Sequence, residues 1–203
     1  MKIGILVDGQ AEYHSLPLLP EKIQTEAQVL RPLYCNMHPQ ASFAQIAHVA
    51  AKRASIFESK GITDLVVLID QEVRPECAPE IARGIEQELK KRVKTMRVSV
   101  IVKVTKFENW LIADPQAFSA SKLFQNPNRV RNMVVPDKAD HINAIKLLNR
   151  CARSSGFDKV SGAKAICERI SPIRAAKNSR SFRRFLRTLG HPAYATQSRH
   201  PVR

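Results

Sequence analysis

Asp64-Leu-Val-Val-Leu-Ile-Asp70, DLVVLID, contains five consecutive aliphatic residues between two aspartates. An apolar run of that length, rich in β-branched residues and ended by an acidic turn-former, reads as a buried strand over Asp64–Ile69 that stops at Asp70. Working outward, Lys2–Val7 (KIGILV) is a second run of the same kind and stops at Asp8-Gly9. Arg97–Val104 (RVSVIVKV) is a third. Gln28–Cys35 is weaker: Pro32 removes a ladder donor, which suits an edge strand.

Helical spacing fills the intervals. Phe43, Ile46, Ala47, Ala50, Ala54 and Phe57 recur at helical spacing within Phe43–Ser59, and Gly61 follows as a stop. Ile81, Ile85 and Leu89 predict a helix over Pro79–Val93, with proline in its first turn. Phe107–Ala113 is a short helix ended by Asp114-Pro115. Glu12–Gln24 carries a helical pattern broken by Pro17 and Pro20. Strands alternating with helices predict an α/β fold, with a mostly parallel central sheet of about four strands and helices on both faces. The alternation ends near residue 135. Beyond it Asp137–Arg153, Gly162–Ile170 and Ser179–Leu189 all read as helical. The expected division is therefore an α/β core over 1–135, a basic helical appendage packed on it over 136–190, and a loosely ordered tail over 191–203.

The charge is uneven. The 203 residues carry a formal net charge of +15. Fourteen Lys and Arg lie between Ile145 and Arg203 against only Asp158 and Glu168, which puts +12 in that stretch. A basic segment joined to a nearly neutral body points to a polyanion partner, DNA or RNA, although charge alone also serves solubility. Within the last helix Arg180, Arg183, Arg184 and Arg187 are interleaved with Phe182, Phe185 and Leu186. That pattern predicts an aromatic face docked on the core and arginines available to phosphates. Lys164 and Lys159 are weaker candidates for the same role, and Trp110 is expected in the core rather than stacked on a base.

Four cysteines, Cys35, Cys77, Cys151 and Cys167, form no CxxC pair, as expected of free thiols in a reducing cytoplasm. Cys35 and His38 make half of a zinc spacing with no second half. Met1–Val7 is too short for a signal peptide, and no stretch approaches the ~20 apolar residues of a membrane span. No P-loop or dinucleotide-binding glycine turn occurs, nor any serine in a nucleophile elbow.

Ligands of parallel sheets gather beyond the carboxyl ends of the strands. Three of those ends supply acids: Asp8 and Glu12, then Asp70 and Glu72, then Glu108 and Asp114. Any one of them is explained by turn or cap preferences. Brought together they repel, and they coexist only around a cation or a proton. An oxygen-only donor set favours Mg²⁺ or Mn²⁺ over zinc. Asp8, Asp70, Glu72 and Glu108 form the candidate metal set. Glu12 and Asp114 have the simpler readings of a first-turn helix residue and a residue before proline.

The blocks ILVDGQAEYHSL, DLVVLIDQE, KFENWLIAD and SRSFRRFL, in this order and spacing, resemble a bacterial family of domains of unknown function, numbered 4276. That family is similar to the Toprim fold of topoisomerases, primases and overcoming-lysogenization-type nucleases. The resemblance spans roughly Lys2 to Leu189. It implies a three-layer Toprim-like core in which Asp70 and Glu72 hold Mg²⁺. Asp8 would be a general acid or base or a further ligand, Glu12 the second acid of its turn, and Glu108 would complete the shell or act in catalysis. It further implies Mg²⁺-dependent nuclease or related phosphoryl-transfer chemistry on nucleic acid, in anti-phage defence beside a separate ATPase subunit, with a homo-oligomer also compatible. Two departures stand out: Asp8 replaces the usual Glu, and Glu72 replaces Asp. They motivate the alternative of a catalytically impaired Toprim-like module that binds nucleic acid or a partner protein.

Overall fold

The computed structural model describes residues 1–118, 123–125, 128–153 and 156–196. Its centre is a parallel sheet. Strand β1 (Lys2–Val7) lies in the middle and pairs with β4 (Asp64–Asp70), which pairs with β5 (Arg97–Lys103) at one edge. The other edge is a strand in two pieces, β2 (Gln28–Val29) and β3 (Leu33–Tyr34), both parallel to β1. The break falls at Pro32, as the missing N–H requires.

Helices cover both faces. Leu6, Leu65, Val67, Ile69, Val98, Val100 and Val102 pack against α2 (Phe43–Glu58) and α3 (Ala78–Arg92). The alternate side chains Ile3, Ile5, Val7, Val66, Leu68 and Ile101 face the other way. They are covered by α1 (Gln10–Ser15), α4 (Phe107–Ile112) and most of the chain beyond residue 136. There α6 (Ala144–Cys151), α7 (Lys159–Cys167), α8 (Pro172–Asn178) and α9 (Arg180–Thr188) share a single apolar cluster with the sheet. A short helix, α5 (Asn128–Met133), precedes them. The basic C-terminal region thus closes one layer of the fold. Helix α9 lies against β5, and α7 lies against α1.

Several expectations change. The helix expected over Glu12–Gln24 ends at Ser15, and the chain continues in two 3₁₀ turns that begin beside Pro17 and Pro20. Asp137–Arg153 splits into a 3₁₀ turn, Ala139–His141, and α6, because Asn143 caps the new helix by accepting from the Lys146 amide. Helices α5 and α8 carry too little periodicity to be read from sequence. The start of the tail expected to be loose is docked: Tyr194 is buried in the same apolar cluster, and His191 accepts from the Ala193 amide. The remainder, 197–203, lies outside the described residues. No helix among the described residues is long and apolar enough to cross a membrane.

The SRSFRRFL block is the lock of the second layer. Ser179 caps α9, its hydroxyl accepting from the Phe182 amide. The buried Asp140 carboxylate accepts from the Ser179 hydroxyl at 2.6 Å, the Ser181 hydroxyl at 2.9 Å and the Ser181 amide at 2.9 Å. The Trp110 indole donates to the Ser181 hydroxyl at 2.7 Å, and its ring packs on Phe182 and Phe185. Trp110 is core, as its apolar neighbours predicted.

Candidate metal centre

The strand register builds the site. In β4 the side chains of Val66, Leu68 and Asp70 share a face. In β5 those of Ser99, Ile101 and Lys103 share the same face, and Asp70 stands opposite Lys103. Asp8 follows the last residue of β1, and its carboxylate accepts from the Asp70 amide at 2.9 Å, tying two strand ends together. Glu12 comes up from α1 and is buried. Gly9 permits this, because a Cβ there would collide with a Glu12 carboxylate oxygen. Carboxylate oxygens of Asp8, Glu12 and Asp70 all lie within 4.8 Å of one another. Among the described residues this is the group of three acidic, histidine or cysteine side chains gathered closely enough to share an ion.

The ammonium of Lys103 already sits among them. This side chain is 0% exposed. Its Nζ donates to Asp8 Oδ1 at 2.7 Å and to Glu12 Oε1, and lies 3.1 Å from Asp70 Oδ1. The last contact is an ion pair, and Asp70 Oδ1 is buried against the ammonium. Burial pushes the Asp70 carboxyl well above the usual range, with the neighbouring acids adding to it and Lys103 opposing it. Burial likewise raises Glu12, against the same opposition. For Lys103 burial works downward, but the three carboxylates outweigh it and hold the ammonium charged.

Asp8, Glu12 and Asp70 line a cleft of about 340 Å³ at the carboxyl ends of β1, β4 and β5, with Lys103 buried beneath it. Glu72 and Glu108 line it too, but neither joins the cluster of three. Each faces a lysine instead: Glu72 lies 3.6 Å from Lys106, and Glu108 lies 3.6 Å from Lys159. The backbone is strained at this rim. Glu72 and Thr105 have φ values of 53° and 65°, and the Glu72 amide donates to the Thr105 carbonyl. A β-branched residue in that region is costly and is held only by its surroundings.

The expected site residues therefore separate. Asp8, Glu12 and Asp70 converge, and Glu12, read as the weaker candidate, is a full member. Glu72 and Glu108 stand at the rim. Asp114 is elsewhere: fully buried, it takes a two-pronged contact from Arg174 at 2.8 and 2.9 Å and accepts from the Ser171 amide. Sequence reasoning missed Lys103. The available signal was a lysine at the end of the apolar run Val100–Val102, and its pairing with Asp70 is supplied by the fold.

Among the basic candidates, Arg180, Arg184 and Arg187 are exposed along α9, and Lys164 is exposed on α7. Arg183 is not available as expected. It is 1% exposed, donating to Asp137 Oδ1 at 2.5 Å and to the Ala176 carbonyl at 2.6 Å. It falls on the buried side of α9 with Phe182, Phe185 and Leu186, and it is held there because Asp137 answers its charge. Of the two lysines, Lys159 is the one that reaches the cleft.

The donor set fits a hard divalent cation. It is all oxygen, and three carboxylates face a single ammonium. In comparisons with known proteins, the family described as a domain of unknown function (DUF4276) matches residues 7–190. No curated protein and no solved structure matches.

Proposed function

The chain belongs to the domain-of-unknown-function family DUF4276, and from that membership and the acidic cleft we propose that it is a Mg²⁺- or Mn²⁺-dependent phosphoryl-transfer enzyme, a nuclease, acting on DNA or RNA. One observation carries the reading. Three acids from two distant segments, the β1–α1 turn and the end of β4, converge at the carboxyl edge of a parallel sheet, in a cleft whose rim carries Lys106 and Lys159. The similarity of the family to the Toprim fold, and the basic C-terminal region, support a nucleic-acid phosphate as the group brought to it.

Asp8, Glu12 and Asp70 would hold the ion. When bound, it polarises a phosphoryl oxygen and steadies the leaving oxygen. Both oxygens of Asp8 are engaged, by Lys103 and by the Asp70 amide, which fixes this carboxylate at the edge of the sheet. Glu108, largely buried at the rim and paired with Lys159, is the residue for orienting or deprotonating the attacking water. Glu72 and Lys106 form a second ion pair lining the same cleft. The exposed Arg180, Arg184 and Arg187, with Lys164, would attract and position the strand. The four cysteines, all thiols, support a reducing cytoplasm, and the family resemblance supports a separate ATPase subunit and a place in anti-phage defence.

The test is incubation of labelled DNA and RNA with pure protein in Mg²⁺, Mn²⁺ or EDTA. Metal-dependent cleavage abolished by Asp70→Ala is the expected result. Cleavage indifferent to that substitution would refute the assignment. A second reading is favoured by Lys103, which balances part of the acidic charge without any metal: a Toprim-like scaffold that binds nucleic acid but does not cut it. Salt-sensitive binding that persists in EDTA, with no turnover under any metal, would select it.

A further inference from the structure

The cluster holds three carboxylates but is not charge-balanced by its lysine. Asp8, Glu12 and Asp70 bring three negative charges, and Lys103 returns one positive charge from a position touching all of them. With an ion bound among them to hold all three carboxylates ionised, two negative charges remain, the complement of a single divalent ion. The other acids of the cleft do not add to this total, because Glu72 and Glu108 are each answered by a lysine at 3.6 Å. A second divalent ion would have to break those pairs or approach the Lys103 ammonium in a site of low dielectric.

Lys103 cannot easily make room. Its backbone is fixed in the β4–β5 ladder opposite Asp70, and the Gln71 amide donates to its carbonyl. The side chain is 0% exposed, with its ammonium over the Phe107 ring. Burial of a lysine at this depth is tolerated only with paired charge around it. The same arrangement lets three acids fold together before any metal arrives.

We infer that the site takes one divalent ion per chain, because the Lys103 ammonium already sits among the three carboxylates as one of the cations they can gather. The inference rests on the metal-dependent reading of the same cleft. It assigns Lys103 as a positioning residue: it sets how many ions the carboxylates accept and holds them together in their absence.

The test is Mn²⁺ binding to the full chain, measured by calorimetry and by counting free Mn²⁺ from its paramagnetic resonance signal. Wild-type protein should bind one ion, and Lys103→Arg, which keeps the charge, should also bind one. Lys103→Met should bind Mn²⁺ about tenfold or more tightly, because a neighbouring positive charge has been removed. Its melting temperature should also rise more steeply with Mn²⁺ than that of the wild type. Two wild-type ions of comparable affinity would overturn the inference while leaving metal-dependent chemistry intact. An unchanged affinity in folded Lys103→Met would overturn the role of Lys103. No binding at millimolar Mn²⁺ would remove both this inference and the metal reading. One ion bound without nucleic-acid cleavage would uphold the inference and remove only the nuclease. Should Lys103→Met fail to fold, the wild-type count still decides.

Discussion

Replacing Arg183 by methionine separates the structural arginine of α9 from those available to a polyanion. The side chain of Arg183 is 2% exposed and that of its partner Asp137 is 48% exposed. The guanidinium makes charge-assisted hydrogen bonds to Asp137 and to the Ala176 carbonyl, each of a kind worth about 1.5–3 kcal/mol. Methionine refills the space of the aliphatic stem, and Asp137 can rehydrate, so the sum is not forfeited in full. The expected net cost is about 2–4 kcal/mol, or a fall of roughly 5–15 °C in melting temperature for a chain of this size. Urea unfolding followed by the fluorescence of Trp110, the one tryptophan, reads this directly because its ring packs on Phe182 and Phe185 of the same helix. Arg184→Gln and Arg187→Gln are the controls. Each should cost under about 0.5 kcal/mol and lower the salt dependence of nucleic-acid binding by up to about 0.9 for each phosphate no longer neutralised. A cost below about 1 kcal/mol for Arg183→Met would refute the buried role. So would a drop in salt slope without loss of stability.

Gly9→Ala should displace the Glu12 carboxylate from Lys103, since the new Cβ would overlap it. The expected effects are a loss of about 1–3 kcal/mol and weaker Mn²⁺ binding. Unchanged affinity would show that Glu12 is no ligand. Native protein at pH 8 should expose one thiol, Cys77, to an aromatic disulfide reagent and all four after denaturation. Burial holds Cys35 up at about 11 and Cys167 up at about 12, which keeps both protonated as well as covered. Burial lowers His191 below its ordinary 6.5. The unfolded chain therefore takes up that proton first. The stability this histidine contributes is present above pH 6.5 and is lost as pH falls through the depressed value. In urea unfolding between pH 7 and pH 5, His191→Asn should show a shallower decline than the wild type, because asparagine can still accept from the Ala193 amide. Parallel declines would remove the assignment.

The layers of this protein are legible in its local patterns. Runs such as DLVVLID and KIGILV bury on both sides wherever they are put, and alternation with amphipathic helices leaves a parallel sheet as the compact solution. Equally legible is that acids end β1 and β4, because strand ends of such a sheet lie on one edge whatever the details. Which charges meet is a matter for the assembled fold. Asp8 and Asp70 meet because β1 and β4 are neighbours whose ends coincide, Val7 pairing with Leu68, which brings the Asp8 carboxylate to the Asp70 amide. Lys103 joins them because strand pairing sets it opposite Asp70, a relation across 33 residues that no local pattern encodes. Glu72 and Glu108 are drawn off by lysines that only the folded rim supplies, one of them from α7. Arg183 turns inward because Asp137 waits there. Hydrophobic burial is a property each segment carries alone, while a buried charge is tolerated only where a partner stands, and partners are chosen by the whole chain.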